Sequence, residues 1–385
     1  MKAAVFIRPE VNATKLQEFI SRAATYGKKL KGLNVRVRVH KDRAEEVRRV
    51  SIGELQKNFS KIPLLHLLNQ EFQKVNITLT AETVVLLNTI IFYQNLSSFL
   101  ETTDPIDMFN YAGVRVLARM GEQVSKTVRE AFLKAKGKQE QERWKECIDI
   151  MRANLQEVMD YLYVNHSHST LVKDEVEDTA RRIMDAFRGM FLENSWADNE
   201  TTLMLVEKLN STRVNVGYPD GLLDPYFIEK LFKDVPPIEL NSTFVEIFHN
   251  MSHSYYMRQL KKLNESFNPQ KNWTSRASAV KSFYSAQDNT LEVPWGLLQP
   301  PVYQYGLPRS FSLGAIGANI AQELAQAFGK KGFFNRLGEE YKDSLRNRTL
   351  HEFENKTQCF VGQYGKIFVK LPWYCDVESL CKKKQ

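Results

Sequence analysis

The sequence has few cysteines, no long apolar run and no strong excess of charge of one sign. Four cysteines in 385 residues exclude a small domain held together by disulfides. The longest apolar stretch, Val84–Phe92, is interrupted by Asn88 and is far shorter than the roughly 20 residues of a membrane-spanning helix. The apolar residues near Met1 end at Arg8, too early for a signal peptide. The sequence therefore predicts no transmembrane segment and contains no recognisable leader.

The charge balance argues against nucleic acid as a partner. Lys and Arg number 53 against 45 Asp and Glu, which gives a formal net charge of +8. The basic runs Lys28–Arg49 and Lys134–Lys145 are interrupted by acidic residues, and no nucleic-acid-binding motif lies beside them. Solvated helix surfaces are the alternative explanation of these runs. Motifs of phosphate-binding loops, serine hydrolases and thioredoxins are absent from the sequence as well.

The composition is that of a folded chain, with 43% hydrophobic and 25% charged residues. The length favours two domains. The helical pattern changes after Gly217, and the segment Asp234–Pro237 has the composition of a linker. We therefore expect a mostly helical N-terminal domain over residues 1–235 and a second domain over residues 236–385.

Asparagines in N-x-S/T sequons are the strongest compositional signal. Thirteen such sites occur, whereas chance placement gives roughly three. They are Asn12, Asn58, Asn76, Asn95, Asn165, Asn199, Asn210, Asn241, Asn250, Asn264, Asn272, Asn347 and Asn355. Helix caps and turns account for a few of them but not for all. The enrichment predicts a glycosylated, secreted or extracellular protein, and an N-terminus truncated before this sequence begins would explain the missing leader.

Apolar periodicity predicts that residues 1–215 are almost entirely helical. The segments Glu54–Phe72, Glu82–Leu100 and Lys173–Leu192 all follow the 3.6-residue period with few glycines. Pro63 lies inside the first of these segments and predicts a break or a kink there. Residues Asn241–Leu263 form another predicted helix.

The second half of the chain predicts a β-hairpin followed by a helix of small residues. Residues 279–285 and 290–294 are short strand-like segments around a polar turn. The predicted helix over residues 313–328 carries the sequence Q-E-L-A-Q at Gln322–Gln326. Zinc peptidases of the zincin class carry H-E-x-x-H on such a helix, because residues four apart share one face and both imidazoles can bind the same ion. The glutamate between them acts on the metal-bound water.

Several ordered motifs around this helix make the sequence similar to the neprilysin and endothelin-converting enzyme family of zinc metallopeptidases. Val293–Tyr303, V-P-W-G-L-L-Q-P-P-V-Y, resembles the F-P-A-G-I-L-Q-P-P-F-Y segment that precedes the family's zinc helix. Upstream, Trp196–Asp198 and Lys208–Asp220 resemble the family's W-M-D and K-L…R-V-x-I-G-Y-P-D motifs. Downstream, Gln358–Tyr364 is similar to C-x-V-x-Q-Y. The resemblance extends from about residue 50 to residue 365.

The resemblance implies a mainly α-helical fold: a helical domain, then a truncated thermolysin-like (zincin) α+β domain with a β-hairpin. It places Glu323 at the general-base position, and Gln322 and Gln326 at the two zinc-histidine positions. A neutral amide oxygen is a poor zinc ligand beside imidazole, thiolate or carboxylate. The family's third ligand, the glutamate of an E-N-I-A-D helix, has no counterpart after Glu323 in this sequence. We therefore expect no zinc, no other cofactor and an idle Glu323.

Other candidate residues carry less specific signals. Lys281, Ser282 and Phe283 occupy the position of the family's peptide-binding N-A-Y/F, in degenerate form. His249 and His253 lie four apart on a predicted helix, where either a metal site or an exposed helix face is possible. His166 and His168 are expected in a solvated loop.

The resemblance also bears on the four cysteines. Cys147 and Cys359 fall at family cysteine positions whose usual partners lie in segments that this sequence does not contain. A disulfide from Cys359 to Cys375 or Cys381 is one expectation, and the connectivity stays open. Either of these pairings would leave Cys147 without a family partner.

Three functional hypotheses follow. The first is an extracellular pseudopeptidase that binds peptides or proteins without hydrolysing them. The second is an active zinc metalloendopeptidase, seen here as a fragment or recruiting other ligands such as His249 or His253. The third is a gene fragment or a purely structural interaction module.

Overall fold

A computed structural model describes residues 12–33, 48–59, 61–87, 90–135, 137, 139, 142–266, 268, 270–271, 273–286, 288–329 and 347–365. The elements up to residue 167 are α1 (Ala13–Leu33), β1 (Arg48–Ser51), α2 (Ile52–Asn58), α3 (Leu64–Phe72), β2 (Val84–Leu87), α4 (Ile90–Glu101), α5 (Pro105–Val124), α6 (Lys126–Ala135), α7 (Arg143–Asn154) and α8 (Gln156–Ser167). The later elements are α9 (Thr170–Glu193), α10 (Asn199–Asn210), β3 (Arg213–Gly217), α11 (Pro225–Phe232), α12 (Phe244–Lys261), β4 (Phe283–Ser285), β5 (Thr290–Pro294), α13 (Arg309–Ser312), α14 (Ala318–Phe328) and α15 (Asn347–Tyr364).

The chain forms two compact units that interleave along the sequence. The first contains Met1–Tyr163 and Gly221–Asn268, and the second contains Val164–Asp220 and Pro269–Gln385. The sequence-based boundary at residue 235 lies inside the second segment of the first unit and stays a prediction. The fold class is the expected one, mainly helical with a small α+β part.

Two helices of the first unit, α5 and α12, begin at residues whose side chains cap them. Asp104 accepts a hydrogen bond from the backbone N–H of Ile106 and is followed by Pro105, a residue suited to the first helical position of α5. Thr243 and Glu246 form a complete capping box at the start of α12. The predicted break at Pro63 is confirmed, because α2 ends at Asn58 and α3 begins directly after this proline.

The expectation of a helix over Glu82–Leu100 is wrong at its start, and residues 1–215, predicted to be almost entirely helical, also include β1 and the beginning of β3. Val84–Leu87 forms β2 and pairs antiparallel with β1, with Val50 opposite Val85. A short apolar run does not by itself distinguish a strand from a buried helix segment, and here the pairing with β1 decides. Val50 is buried with Leu55 and Phe59, whereas Val84 and Leu86 are exposed. The third strand, β3, belongs to the second unit.

The second unit contains a three-stranded sheet in the order β3–β5–β4. β3 runs parallel to β5, with Val214 opposite Leu291, and β4 runs antiparallel to β5, with Tyr284 opposite the same Leu291. The predicted hairpin is therefore confirmed, and β3 is an additional strand. α14 packs on β4 and β5, and α9 packs on β3 and α14.

The second unit has a core of apolar side chains that are shielded from solvent. Its fully buried side chains include Leu291, Val293, Ile316, Ile320 and Leu324, which come from β5, the turn before α14 and α14 itself. No helix in the described ranges is both long and apolar enough to cross a membrane.

Candidate functional site

The helix α14 presents two different faces. Its buried residues are Ile320, Glu323, Leu324 and Ala327, spaced as one face of an α-helix. Gln322 and Gln326 are exposed on another face, one turn apart. The i, i+4 geometry that would allow two side chains to bind one ion is therefore present, but the side chains are amides.

Glu323 faces the hairpin. The residue is 4% exposed, and its Oε2 accepts a hydrogen bond of 3.3 Å from the backbone N–H of Tyr284 on β4. Because the buried carboxylate ties α14 to the strand, it has a structural role as well as the position of a general base.

The strand β4 lies at the edge of the sheet, and it carries part of the degenerate peptide-binding segment. Lys281 and Phe283 are exposed, and Phe283 is the first residue of β4. Ser282 between them is buried at 2% exposure. The structure thus brings this segment beside Glu323, since Tyr284 directly follows Phe283. One backbone donor of the edge strand, the Tyr284 N–H, is already occupied by Glu323.

A buried asparagine fixes the hairpin turn. Asn289 is fully buried with a φ of 52°, a left-handed conformation that asparagine tolerates better than most residues. Its Nδ2 donates to the carbonyl of Lys208 at 3.1 Å and to Oγ of Ser211 at 3.0 Å. Its Oδ1 accepts from the hydroxyls of Thr212 at 3.0 Å and Tyr284 at 2.8 Å. Every polar atom of this side chain is therefore paired, which locks the turn to the end of α10.

Lys208 connects the same region to the C-terminal end of α14. Its Nζ donates a 2.6 Å hydrogen bond to the carbonyl of Ala327 and lies 5.8 Å from the ring centroid of Phe328, and the residue is only 4% exposed. A cation at the C-terminal end of a helix satisfies a terminal carbonyl and is favoured by the helix dipole. Lys208 belongs to the K-L…R-V motif of the sequence. The motif did not indicate that its side chain contacts the end of α14.

Glu292 on β5 is a second buried carboxylate, and no motif in the sequence marks it. It is 2% exposed and accepts hydrogen bonds from the backbone N–H groups of Thr274 and Ser275 and from the Ser275 hydroxyl, at 2.8, 2.7 and 2.6 Å. Three donors compensate the burial of its charge. The contact anchors the segment before the hairpin to the central strand.

The segment after β5 is held by close packing at a glycine and by a buried tyrosine. A Cβ on Gly296 would lie 2.6 Å from the carbonyl oxygens of Ser278 and Ala279, so this position requires glycine. The hydroxyl of Tyr303 donates to Glu175 at 2.8 Å. Burial and this hydrogen bond raise the pKa of Tyr303 above its usual range, and the hydroxyl therefore remains a donor. These contacts place the turn that leads into α13 and α14.

The residues at the family's zinc position do not fit zinc. Gln322 and Gln326 offer neutral amide oxygens, and the Glu323 carboxylate is engaged with Tyr284. Within the described ranges, no group of three or more His, Cys, Asp and Glu side chains is arranged to hold a metal ion. No chemical step that requires a bound metal can be derived from this arrangement.

The histidine candidates lie elsewhere on the described chain. His249 and His253 are exposed on α12, with ring centroids 6.2 Å apart. His166 and His168 are exposed too, although the loop prediction is wrong for His166, which belongs to the last turn of α8.

The cysteines and the sequons remain open predictions. Cys147 is half-buried, Cys359 is exposed, and neither forms a disulfide with another described residue. Cys375 and Cys381 lie outside the described residues. The side chains of Asn272 and Asn347 are likewise outside the description, and Asn95 and Asn250 are half-buried. The exposed sequon asparagines are Asn12, Asn58, Asn76, Asn165, Asn199, Asn210, Asn241, Asn264 and Asn355.

Comparison with known proteins gives a consistent family assignment. The model for the N-terminal part of peptidase family M13 matches residues 8–219, and the peptidase family M13 model matches residues 281–371. Neprilysin-1 of Caenorhabditis elegans is 28% identical over 291 residues, which are 74% of this chain and 38% of that protein. Human neprilysin is 28% identical over 337 residues, which are 83% of this chain and 44% of the relative. The chain thus spans less than half the length of these curated relatives.

Solved structures of two bacterial proteins share the fold. The Mycobacterium tuberculosis zinc metalloprotease Zmp1, in complex with an inhibitor, superposes with a TM-score of 0.75 at 16% identity and covers 96% of this chain and 54% of its own. PepO from Lactobacillus rhamnosis gives a TM-score of 0.71 at 17% identity, over 95% of this chain and 57% of its own. At these identities the comparison supports the fold and not the activity.

Proposed function

The chain belongs to peptidase family M13, and from this premise we propose that it is a catalytically inactive extracellular relative of the neprilysins that acts by binding peptides or proteins. The observation that carries the proposal is the exposed amide face of α14, where Gln322 and Gln326 stand in place of two zinc ligands. Without those ligands there is no metal-bound water for Glu323 to deprotonate.

Restoring both histidines tests how much of the metal site has been lost. We expect the double variant Gln322→His, Gln326→His to remain inactive against peptides, because two imidazoles are one protein ligand short of a catalytic zinc site. Among the described residues, no group of three or more His, Cys, Asp and Glu side chains is arranged to hold a metal ion. The measurement is cleavage of a pool of fluorogenic peptides with added Zn²⁺, using the double variant with Glu323→Gln as the matched control. Cleavage by the double variant that disappears in the triple variant would contradict the proposal.

The alternative is an active zinc metalloendopeptidase of which this chain is a part. Membership of the family and the retained Glu323 favour it. In that case the protein isolated with all of its natural chain cleaves peptides in a chelator-sensitive way, and Glu323→Gln abolishes the activity.

We propose that a bound peptide lies along the edge strand β4. An extended peptide can add to an exposed sheet edge, with pockets or exposed side chains giving selectivity. Phe283 and Lys281 supply an aromatic surface and a positive charge there. We expect Phe283→Asp to reduce the capture of peptides from a random-sequence pool by at least about 10-fold, since hot spots are commonly exposed aromatic anchors. Phe360→Asp, an exposed aromatic on α15, is the control; equal loss in both variants would exclude β4 as the site.

The extracellular half of the proposal depends on glycosylation. Nine of the thirteen sequon asparagines are exposed, which is the accessibility that an attached glycan requires. We expect secretion from cells with a supplied leader, and a mass that falls on endoglycosidase treatment. Asn76→Gln should remove one glycan, because Asn76 is exposed in a left-handed turn after α3, whereas Asn69→Gln, which changes an asparagine outside any sequon, should remove none. A secreted protein with no endoglycosidase-sensitive mass would contradict this part of the proposal.

A further inference from the structure

The helix α12 carries a pair of histidines on its exposed face. His249 and His253 are four residues apart, so their side chains project from the same side of the helix. Their rings lie nearly parallel at 23°, with centroids 6.2 Å apart. Both residues are exposed to solvent.

Neither imidazole is engaged with another polar group among the described residues. By contrast, the exposed His351 on α15 has a hydrogen-bonding contact of 3.2 Å with Asn355. A neutral imidazole has one nitrogen with a free lone pair, and that nitrogen is the atom that binds a metal. The pair therefore offers two such donors side by side.

The helix that carries the pair is capped at its start and is held further along by two side-chain hydrogen bonds. The capping box of Thr243 and Glu246 closes its N-terminal end. Ser252 donates to Asn154 at 2.8 Å, and the hydroxyl of Tyr256 donates to Glu71 at 2.8 Å. Because the backbone is already ordered by these contacts within one unit, a ligand at the pair does not have to order the helix.

We propose that His249 and His253 form a chelating site for a borderline divalent cation, Zn²⁺ or Cu²⁺. Imidazole nitrogens suit these ions, whereas Mg²⁺ and Ca²⁺ require oxygen ligands. With a metal–nitrogen distance of about 2.0–2.1 Å and a tetrahedral angle, the ring centroids would be about 5 Å apart. The observed separation is 6.2 Å, so binding would require rotation of the two exposed side chains toward each other.

A nearby carboxylate adds negative electrostatic potential at this site, which favours a cation. Glu246 lies one turn before His249 on the same side of the helix, a spacing at which side chains are neighbours. Hydrogen bonds from the backbone N–H and the hydroxyl of Thr243 hold the pKa of Glu246 below its usual range, so the group remains negatively charged near neutral pH. Water molecules complete the coordination, which leaves an open site of two protein ligands.

The experiment is titration of the full chain with Zn²⁺ by calorimetry, after bound metal has been removed with a chelator. We expect His249→Ala and His253→Ala each to weaken the tightest Zn²⁺ site by at least about 10-fold, because a linked second ligand supplies most of the affinity of a chelate. His66→Ala, which removes an exposed histidine on α3, should leave that site unchanged. Titration with Mg²⁺ should show no binding at the pair.

A second variant controls for the number of histidines. The double change His253→Ser, Ser254→His keeps the histidine count but places the two rings five residues apart, on different faces of the helix. We expect it to bind as weakly as His253→Ala. If all of these variants bind Zn²⁺ as the wild type does, or if His66→Ala weakens binding equally, the proposal is wrong. The readout is binding alone, so it is independent of whether Glu323 supports catalysis.

Discussion

At the scale of single residues, the second unit depends on buried polar side chains that form hydrogen bonds to other segments of the chain. Asn289, Glu292 and Lys208 are each at most 4% exposed, and each joins segments that are distant in the sequence. Such groups stabilise one arrangement of the backbone because any other arrangement would leave them buried without partners. None of the three could be recognised from composition or periodicity, since their partners are brought near only by the fold.

We expect Asn289→Ala to lower the free energy of unfolding by about 2–4 kcal/mol, because it removes the four hydrogen bonds of a fully buried side chain and places alanine at positive φ. Urea denaturation measures this change. Asn289→Gly removes the same hydrogen bonds, but glycine adopts a positive φ readily. The difference in free energy of unfolding between the two variants is therefore the cost of placing alanine at positive φ. Asn264→Ala, at an exposed position, should change the free energy by no more than about 0.5 kcal/mol. Equal effects of Asn289→Ala and Asn264→Ala would contradict this account.

At the scale of elements, the sequence predicted the helices and the hairpin better than the isolated strands. α9 and α12 combine a sustained apolar period with capping or boundary residues, and both lie within a few residues of their predicted bounds. β2 is four residues long and β3 five, too short for periodicity to distinguish them from helix. These segments are strands because they pair with other strands, β2 with β1 and β3 with the distant β5. A local sequence pattern gives no information about such pairing.

The turn after β5 gives a prediction at this scale. We expect Gly296→Ala to destabilise the second unit by at least about 2 kcal/mol, because its Cβ would lie 2.6 Å from two backbone carbonyl oxygens that cannot move away like a flexible side chain. Gly189→Ala on α9 is the matched control in the same unit. Its Cβ has no atom within 4 Å, and alanine in a helix should stabilise by about 0.5–1 kcal/mol. Thermal unfolding measures whether Gly296→Ala lowers the stability and Gly189→Ala raises it. If both substitutions change the stability in the same direction, the packing argument is wrong.

At the scale of the whole molecule, the sequence motifs predicted the fold class and the family. The structural comparison confirms the fold, and the family models confirm the family. The spacing of Gln322 and Gln326 correctly predicted one shared helix face. The burial of Glu323 against β4 could not be predicted, because it depends on the packing of α14 on the hairpin. The family resemblance indicates where chemistry would occur, and the identity of the side chains at that place is the basis of the proposal that it does not occur.

The most direct test of this central claim is the zinc content and the peptide cleavage of the wild-type protein, measured on the same preparation. The account predicts no chelator-sensitive cleavage by the wild type. Any zinc that the protein holds should be lost in the double variant His249→Ala, His253→Ala without a change in cleavage. Any cleavage found should be the same in Glu323→Gln, which identifies it as a contaminant. About one equivalent of tightly held zinc, together with cleavage that is abolished by a chelator and by Glu323→Gln, would contradict the claim.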